Sequence, residues 1–221
     1  VCGRFILSTL SWYEYHEFLS ILRPTETRVS YNIKPTQDVA CVTMRDGAPV
    51  ASTARWWFVP HWHKGDVKDW KQTTFNARIE TAAEKPTFRI AWKAGRCIIP
   101  ASGYYEWTGS KGRKRPHFIT VEQNAPVFFF AGVHSVLRDG TETCSIITRP
   151  AEPEIEQVHH RMPVILDSAQ VTGWLEQSDD DAHVLSNYGM SWTNRFSVRD
   201  VKPFGRDNDG PELIEQDGFA F

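Results

Sequence analysis

"RCIIPASGYYEW", residues 96–107, carries the fold. It is rich in β-branched and aromatic residues, the composition of a half-buried pleated surface, so it reads as strand. The basic stretch "SKGRKRP" (110–116) separates it from a second strand-like run, "HFITV" (117–121), and reads as a hairpin loop. Working outward, "VFFFAGV" (127–133), "TCSIIT" (143–148), "MPVIL" (162–166) and "RFSVR" (195–199) continue the pattern downstream. Upstream stand "CGRFIL" (2–7), "DVACVTM" (38–44) and the aromatic-rich "APVASTARWWFVP" (48–60). Helical patterns are fewer. "SWYEYHEFLSIL" (11–22) puts Tyr15, Phe18, Leu19 and Leu22 at helical spacing. "ETAAEKPTFRIAWKAG" (80–95) is helical on both sides of Pro86, with Gly95 as a stop. "PEIEQVH" (153–159) and the Asp-capped "DSAQVTGWLEQ" (167–177), with its Val171–Trp174–Leu175 face, complete the set. Strands outnumber helices and turns separate neighbouring strands. This predicts an α+β fold built on twisted, mostly antiparallel sheets, as one domain over residues 1–221.

Composition narrows the function. The chain has 25 Lys+Arg against 27 Asp+Glu, so no global basic field advertises nucleic acid, and any polyanion site must arise locally. Cys2, Cys41, Cys97 and Cys144 are far apart and form no C-x-x-C pair, which argues against a zinc ribbon or a redox motif. No signal-peptide pattern opens the chain and no apolar run reaches membrane length, so a cytoplasmic protein with reduced thiols is expected.

Chemistry concentrates in a few short stretches. Cys2 sits next to the start of the chain. If the residue before it is removed, it carries a thiol and an α-amine of pKa roughly 7.7–8.0. Such an aminothiol attacks an aldehyde through nitrogen, and the thiolate then closes a thiazolidine ring. A translated valine-type start codon would account for Val1, since initiation inserts Met and trimming exposes Cys2; a retained Val1 removes the free amine and the mechanism with it. Asn76 and Arg78 of "FNARIET" stand two apart and share one side of a strand, with Arg78 as a phosphate clamp and Asn76 either a positioning amide or a helix cap. Glu106 lies between Tyr105 and Trp107, surroundings that favour a raised pKa and acid/base work; a solvent-facing alternate position is the competing reading. His159 and His160 precede a strand and, if extended, point to opposite sides, so only one faces a site. Trp62 and Trp70 lie in the polar stretch "HWHKGDVKDWKQTT" (61–74), where an indole outside the apolar pattern can stack on a base.

"CGRF", "YNIKP" (31–35), "NARIET", "GYYEW", "HHRMPVIL" and "NDGPELIE" (208–215) occur in this order, and together they resemble the SRAP family, the SOS-response-associated peptidase domain proteins. The resemblance runs from Cys2 to about Glu215. It implies a barrel-like sheet core with peripheral helices. It also implies binding of single-stranded DNA and covalent capture of abasic sites through a thiazolidine on the N-terminal cysteine. Residue by residue, it makes Cys2 the crosslinking nucleophile, Asn76 the neighbour of its amine, Glu106 the acid/base and His159 the group that holds or protonates the sugar oxygen. Arg4 and Arg78 become phosphate contacts, Asn32 and Pro35 lining residues, and Trp62 and Trp107 aromatic contacts to DNA. The implied partner is single-stranded DNA carrying abasic sites, with no cofactor, metal or membrane and with the protein acting as a monomer. His160 departs from the family pattern, which has an acidic or polar residue there. Two other readings use the same residues: a cysteine-type autopeptidase with Cys2 as acyl nucleophile and His159 as base, and a noncatalytic single-strand-binding module.

Overall fold

The computed structural model describes residues 2–8, 29–122, 127–177, 183–184, 187–188 and 195–217; Val1 and the expected helix over 11–22 lie outside them. The run 96–107 forms two strands in two different sheets. Strand β6 (Arg96–Ala101) belongs to a barrel and β7 (Gly103–Thr108) to a separate antiparallel sheet. Ser102 is the switch between them: its N–H donates to the carbonyl of Ile6 at 2.8 Å and its hydroxyl accepts from the Ser8 N–H at 3.2 Å. Gly103 follows because a Cβ there would lie 2.3 Å from the Phe118 ring.

The barrel closes through five strands. β3 (Asp38–Arg45) pairs antiparallel with β4 (Ala48–Trp56) on one side and with β6 on the other. β6 pairs with β9 (Phe128–Val136), β9 with β10 (Glu142–Pro150), and β10 returns to β4 in parallel. Closure removes the exposed edges that five open strands would present. Outside the ring, β10 also pairs with β5 (Asn76–Arg78) and β11 (Arg161–Pro163), and β9 pairs with β12 (Ile165–Leu166). The second sheet has the order β13 (Phe196–Asp200), β8 (Arg115–Val121), β7, β1 (Phe5–Leu7), β2 (Ser30–Ile33), all antiparallel.

Period-two alternation assigns the barrel faces. Cys41, Ala54, Trp56, Cys97, Ile99, Phe130, Cys144 and Ile146 form the inner cluster, which runs on into Phe5, Tyr104 and Ile119 of the second sheet. The opposite faces carry Val42, Ile98, Ala131, Val133 and Ile147, which pack under the helices. These are α1 (Ile79–Ala82), α2 (Arg89–Ala94), α3 (Pro153–Glu156) and α4 (Ser168–Glu176). Pro86 falls in the turn between α1 and α2, as its sequence position predicts. Asp167 caps α4, accepting from the Gln170 N–H at 2.9 Å, and Val171, Trp174 and Leu175 are buried. Gly95 does end α2, but for a different reason from a left-handed cap: its φ is −147°, and a Cβ would sit 2.5 Å from the His134 carbonyl oxygen. The expected strand 162–166 is interrupted at Val164, giving β11 and β12 on two different partners.

Candidate functional site

The second sheet brings the start of the chain against β7. Phe5 pairs with Tyr104, which carries Cys2 past the end of β1 to Glu106. The Cys2 N–H donates to Glu106 Oε1 at 2.5 Å, and Asn76 Nδ2 donates to the Cys2 carbonyl at 3.4 Å. Three of the expected catalytic residues are thus joined by hydrogen bonds across strands far apart in sequence. Cys2 is fully buried and Glu106 is 5% exposed. Glu106 therefore lies on the inward face, and the solvent-facing alternative falls. Burial raises its pKa, against the hydrogen bonds from the Cys2 and Trp107 amides and the charge of Lys114 in the basic hairpin loop. Burial, reinforced by the negative charge of Glu106, also pushes the Cys2 thiol well above its ordinary value.

His159 arrives from the other side of β10. Its Nδ1 lies 3.0 Å from the Arg161 backbone nitrogen and 3.2 Å from the Arg161 carbonyl oxygen, which holds the ring against the start of β11. Burial, then the neighbouring His160, lowers its pKa. The expectation that the two histidines point apart is overturned: their rings stack at 4.5 Å with 19° between planes. They occupy the turn after α3, where the alternation of an extended strand does not apply. Arg161 is 9% exposed and grips Glu80 with both nitrogens, at 2.8 and 2.9 Å. That fork locks the "HHRMP" stretch to "NARIET". Burial pushes the Glu80 carboxyl up, but the bond from Arg161 outweighs it and holds the group below its ordinary value.

A second group gathers on the opposite face of β7. Arg4 Nη1 donates to Asn32 Oδ1 at 2.7 Å and its guanidinium lies 5.9 Å from the Trp107 ring centre. Asn32, 2% exposed, uses its Nδ2 on the carbonyls of Asn208 (2.6 Å) and Arg206 (3.1 Å). Asp209 accepts from the Tyr31 N–H at 2.6 Å. "YNIKP" and "NDGPELIE" therefore meet as a lock that holds Arg4; Asn32 aims the arginine rather than presenting its own amide. Pro35 is half-buried beside this group, and Arg78 is exposed. Trp62 is 45% exposed and its ring packs edge-on against Trp70 at 5.7 Å, apart from both groups. A Cβ on Gly3 would meet open space, so the fold makes no demand for glycine at that position.

A family model described as SOS response associated peptidase (SRAP) matches residues 1–203. The chain belongs to the SRAP family. Among similar SRAP proteins, the abasic site processing protein YoqW of Bacillus subtilis is 30% identical, with 97% of this chain and 99% of that one covered. The abasic site processing protein YedK of Escherichia coli is 30% identical over 84% of this chain and 83% of its own. A crystal structure of a Bacteroides thetaiotaomicron protein superposes with a TM-score of 0.82 at 23% identity, covering 97% of this chain and 99% of that one, and shares the SRAP fold.

Sequence reasoning missed two features. Tyr104 places an unpartnered hydroxyl near Cys2, on the face of β7 shared with Glu106. Cys41, Cys97 and Cys144 come together in one buried cluster inside the barrel. The even inward spacing of Tyr104 and Glu106 could have revealed the first; the second depends on barrel closure and has no local signal. Among the described residues no group of His, Cys, Asp and Glu is arranged to hold a metal ion, and no helix is long and apolar enough to cross a membrane.

Proposed function

We propose that this protein binds single-stranded DNA and captures abasic sites covalently through Cys2. The single observation that carries the reading is the Cys2 nitrogen lying 2.5 Å from a buried carboxylate, Glu106. Once the residue before Cys2 is removed, that nitrogen is an α-amine. Glu106, whose ionised form is disfavoured by burial, takes a proton from the ammonium and frees the lone pair. The amine adds to C1′ of the ring-opened sugar; both nitrogen protons pass to the carbonyl oxygen, relayed by Glu106, the C–O bond breaks, and water leaves a neutral imine. The thiol proton passes to the imine nitrogen, sulfur bonds to C1′, and the C=N π pair moves onto nitrogen. The ring closes without net oxidation or reduction. Asn76 holds the Cys2 carbonyl, and His159, whose pKa is lowered by burial, holds a sugar oxygen with its imidazole. The second group supplies DNA contacts: Arg4 and Arg78 to phosphates, Trp107 and Trp62 as aromatic surfaces, Pro35 as lining. Relatives named abasic site processing proteins, such as YoqW and YedK, support this reading.

The decisive experiment mixes protein bearing Cys2 at its terminus, verified by intact mass, with single-stranded DNA containing one abasic site. A covalent band on a denaturing gel is expected; its absence would overturn the proposal. A second reading, autoprocessing, is favoured by the backbone of Cys2 itself. Its φ of 34° is left-handed for a non-glycine residue, a strain on the order of 1–3 kcal/mol that removal of the preceding residue abolishes. Glu106 lies where it would protonate the leaving nitrogen while the Cys2 thiolate attacks the preceding carbonyl; the C–N bond breaks, and water then hydrolyses the resulting thioester, releasing the residue as its carboxylate and restoring the thiol. Retention of the preceding residue in both Cys2→Ala and Glu106→Gln is expected on this reading, and its loss from either would sink it.

A further inference from the structure

One polar group in the Cys2 pocket has no assigned work. Tyr104 is fully buried, and its hydroxyl has no hydrogen-bond partner. The next residue, Tyr105, shows the ordinary arrangement, its hydroxyl donating to the Tyr31 carbonyl at 3.1 Å. A buried hydroxyl without a partner destabilises the fold, and phenylalanine would fill the same space without that cost. Tyr104 stands two residues before Glu106 on β7, so the two side chains project from the same face. It shares an apolar cluster with Cys2, its ring set edge-on to Phe130.

The polar groups of Cys2 divide in a complementary way. The nitrogen has Glu106 and the carbonyl has Asn76, which leaves the sulfur. A thiolate formed there is buried beside a carboxylate and needs a donor that carries no charge of its own. We propose that the Tyr104 hydroxyl, which makes no bond to the resting thiol, turns onto the Cys2 sulfur once it is a thiolate and is that donor, a positioning residue that holds the sulfur while it closes on C1′. The inference rests on the capture reading and adds to it the residue that controls ring closure. In the step itself the thiol proton moves to the imine nitrogen, sulfur forms its bond to C1′, and the phenol keeps its proton throughout. The charged groups facing Tyr104 agree with this. Burial first, then Cys2 and Glu106, push its pKa well up, with Arg149 opposing, so the hydroxyl stays a donor over the whole working range.

Tyr104→Phe tests the proposal with the least change of shape. Protein with Cys2 at its terminus is reacted with glyoxylate, a small aldehyde that forms the thiazolidine without DNA, and separately with abasic single-stranded DNA. Closure is followed by mass from pH 5 to 11, a range that reaches the raised thiol. The variant is expected to close about tenfold more slowly, with the alkaline midpoint of its rate profile about one pH unit higher, because one pKa unit is a tenfold change in thiolate population. Its melting temperature should equal or exceed that of the parent. An unchanged rate, or a slower rate with an unmoved pH midpoint, would overturn the proposal. The glyoxylate arm separates the two failures. If the parent closes on glyoxylate but not on DNA, the capture reading fails while Tyr104 is still tested.

Discussion

Cys2 stands next to the start of the chain and the other three cysteines line the barrel, yet burial does not tell them apart. All four are free thiols with no exposed surface. Their polar neighbours differ. Cys2 has a carboxylate on its nitrogen and an amide on its carbonyl. Cys41, Cys97 and Cys144 have one another: burial raises Cys97 and Cys144, while hydrogen bonds from those two draw the Cys41 thiol down. Gly132 makes room for this arrangement, since a Cβ there would stand 2.8 Å from Cys97 Sγ. Burial therefore does not separate the proposed nucleophile from the packed cysteines; its acid/base partners at the backbone do.

The contrast breaks most sharply under substitution. Cys2→Ala should abolish crosslinking, whereas Cys41→Ala should keep the crosslink rate. Both side chains are fully buried, so each substitution should lose roughly 1–3 kcal/mol of stability through a core cavity, measured by urea unfolding. A crosslink defect in Cys41→Ala, or a crosslink retained in Cys2→Ala, would erase the distinction.

Glu106→Gln asks whether the carboxylate or only its shape matters. Glutamine can still accept from the Cys2 nitrogen but cannot take its proton. Capture should slow by about 10²–10⁴-fold, the range for loss of a general acid/base. Stability should move the other way. The folded pKa of Glu106 is raised. Its contribution is therefore fully present below the ordinary carboxylate value of about 4.3 and is lost as pH rises through the folded value. The variant should gain on the parent as pH climbs from 4 toward 8, read as the difference in melting temperature. A constant difference would mean that Glu106 titrates normally.

On the other face of β7 the expected effect is smaller. Asn32→Ala removes the acceptor of Arg4 and the Asn32 donor of the Asn208 carbonyl, while the Arg206 carbonyl keeps the Lys34 ammonium. A stability loss of about 1–3 kcal/mol is expected. Affinity for ordinary single-stranded DNA should fall with it, because Arg4 is no longer aimed. Unchanged affinity would place Arg4 outside the DNA contact.

These two faces also show how far local sequence signals reach. The strands are readable because β-branched and aromatic runs are local signals, and Asp167, Pro86 and the 109–114 loop, two residues shorter at its end than the expected 110–116, act as punctuation. Glu106 stands out because a carboxylate set among aromatic residues is costly to bury unless its proton is put to use. Ser102, where one apparent strand divides between two sheets, is hidden because the division depends on Ile6 and Ser8, some 95 residues earlier. The stacked histidines escape a rule of strand alternation because they sit in a turn. The Arg161–Glu80 fork and the Asn32 lock join motifs that look independent along the chain.

Arg78 gives the smallest effect and the cleanest comparison with Arg4. Both are assigned to phosphates, but Arg4 is half-buried, with an amide acceptor and an indole beside it, whereas Arg78 is exposed on the last residue of β5. Burial lowers the pKa of Arg4, with Arg206 adding repulsion and Asp207 opposing, but an arginine remains charged at any physiological pH. An exposed guanidinium that meets one phosphate contributes chiefly by releasing counterions. Arg78→Ala should thus leave the fold and the glyoxylate reaction untouched. It should reduce the slope of log affinity against log salt on single-stranded DNA by about 0.7, the value for one phosphate. The weakening should be uniform across DNA sequences, since a phosphate contact carries no base information. A slope unchanged from the parent would remove Arg78 from the DNA path and leave the Arg4 side of β7 to carry the phosphate contacts.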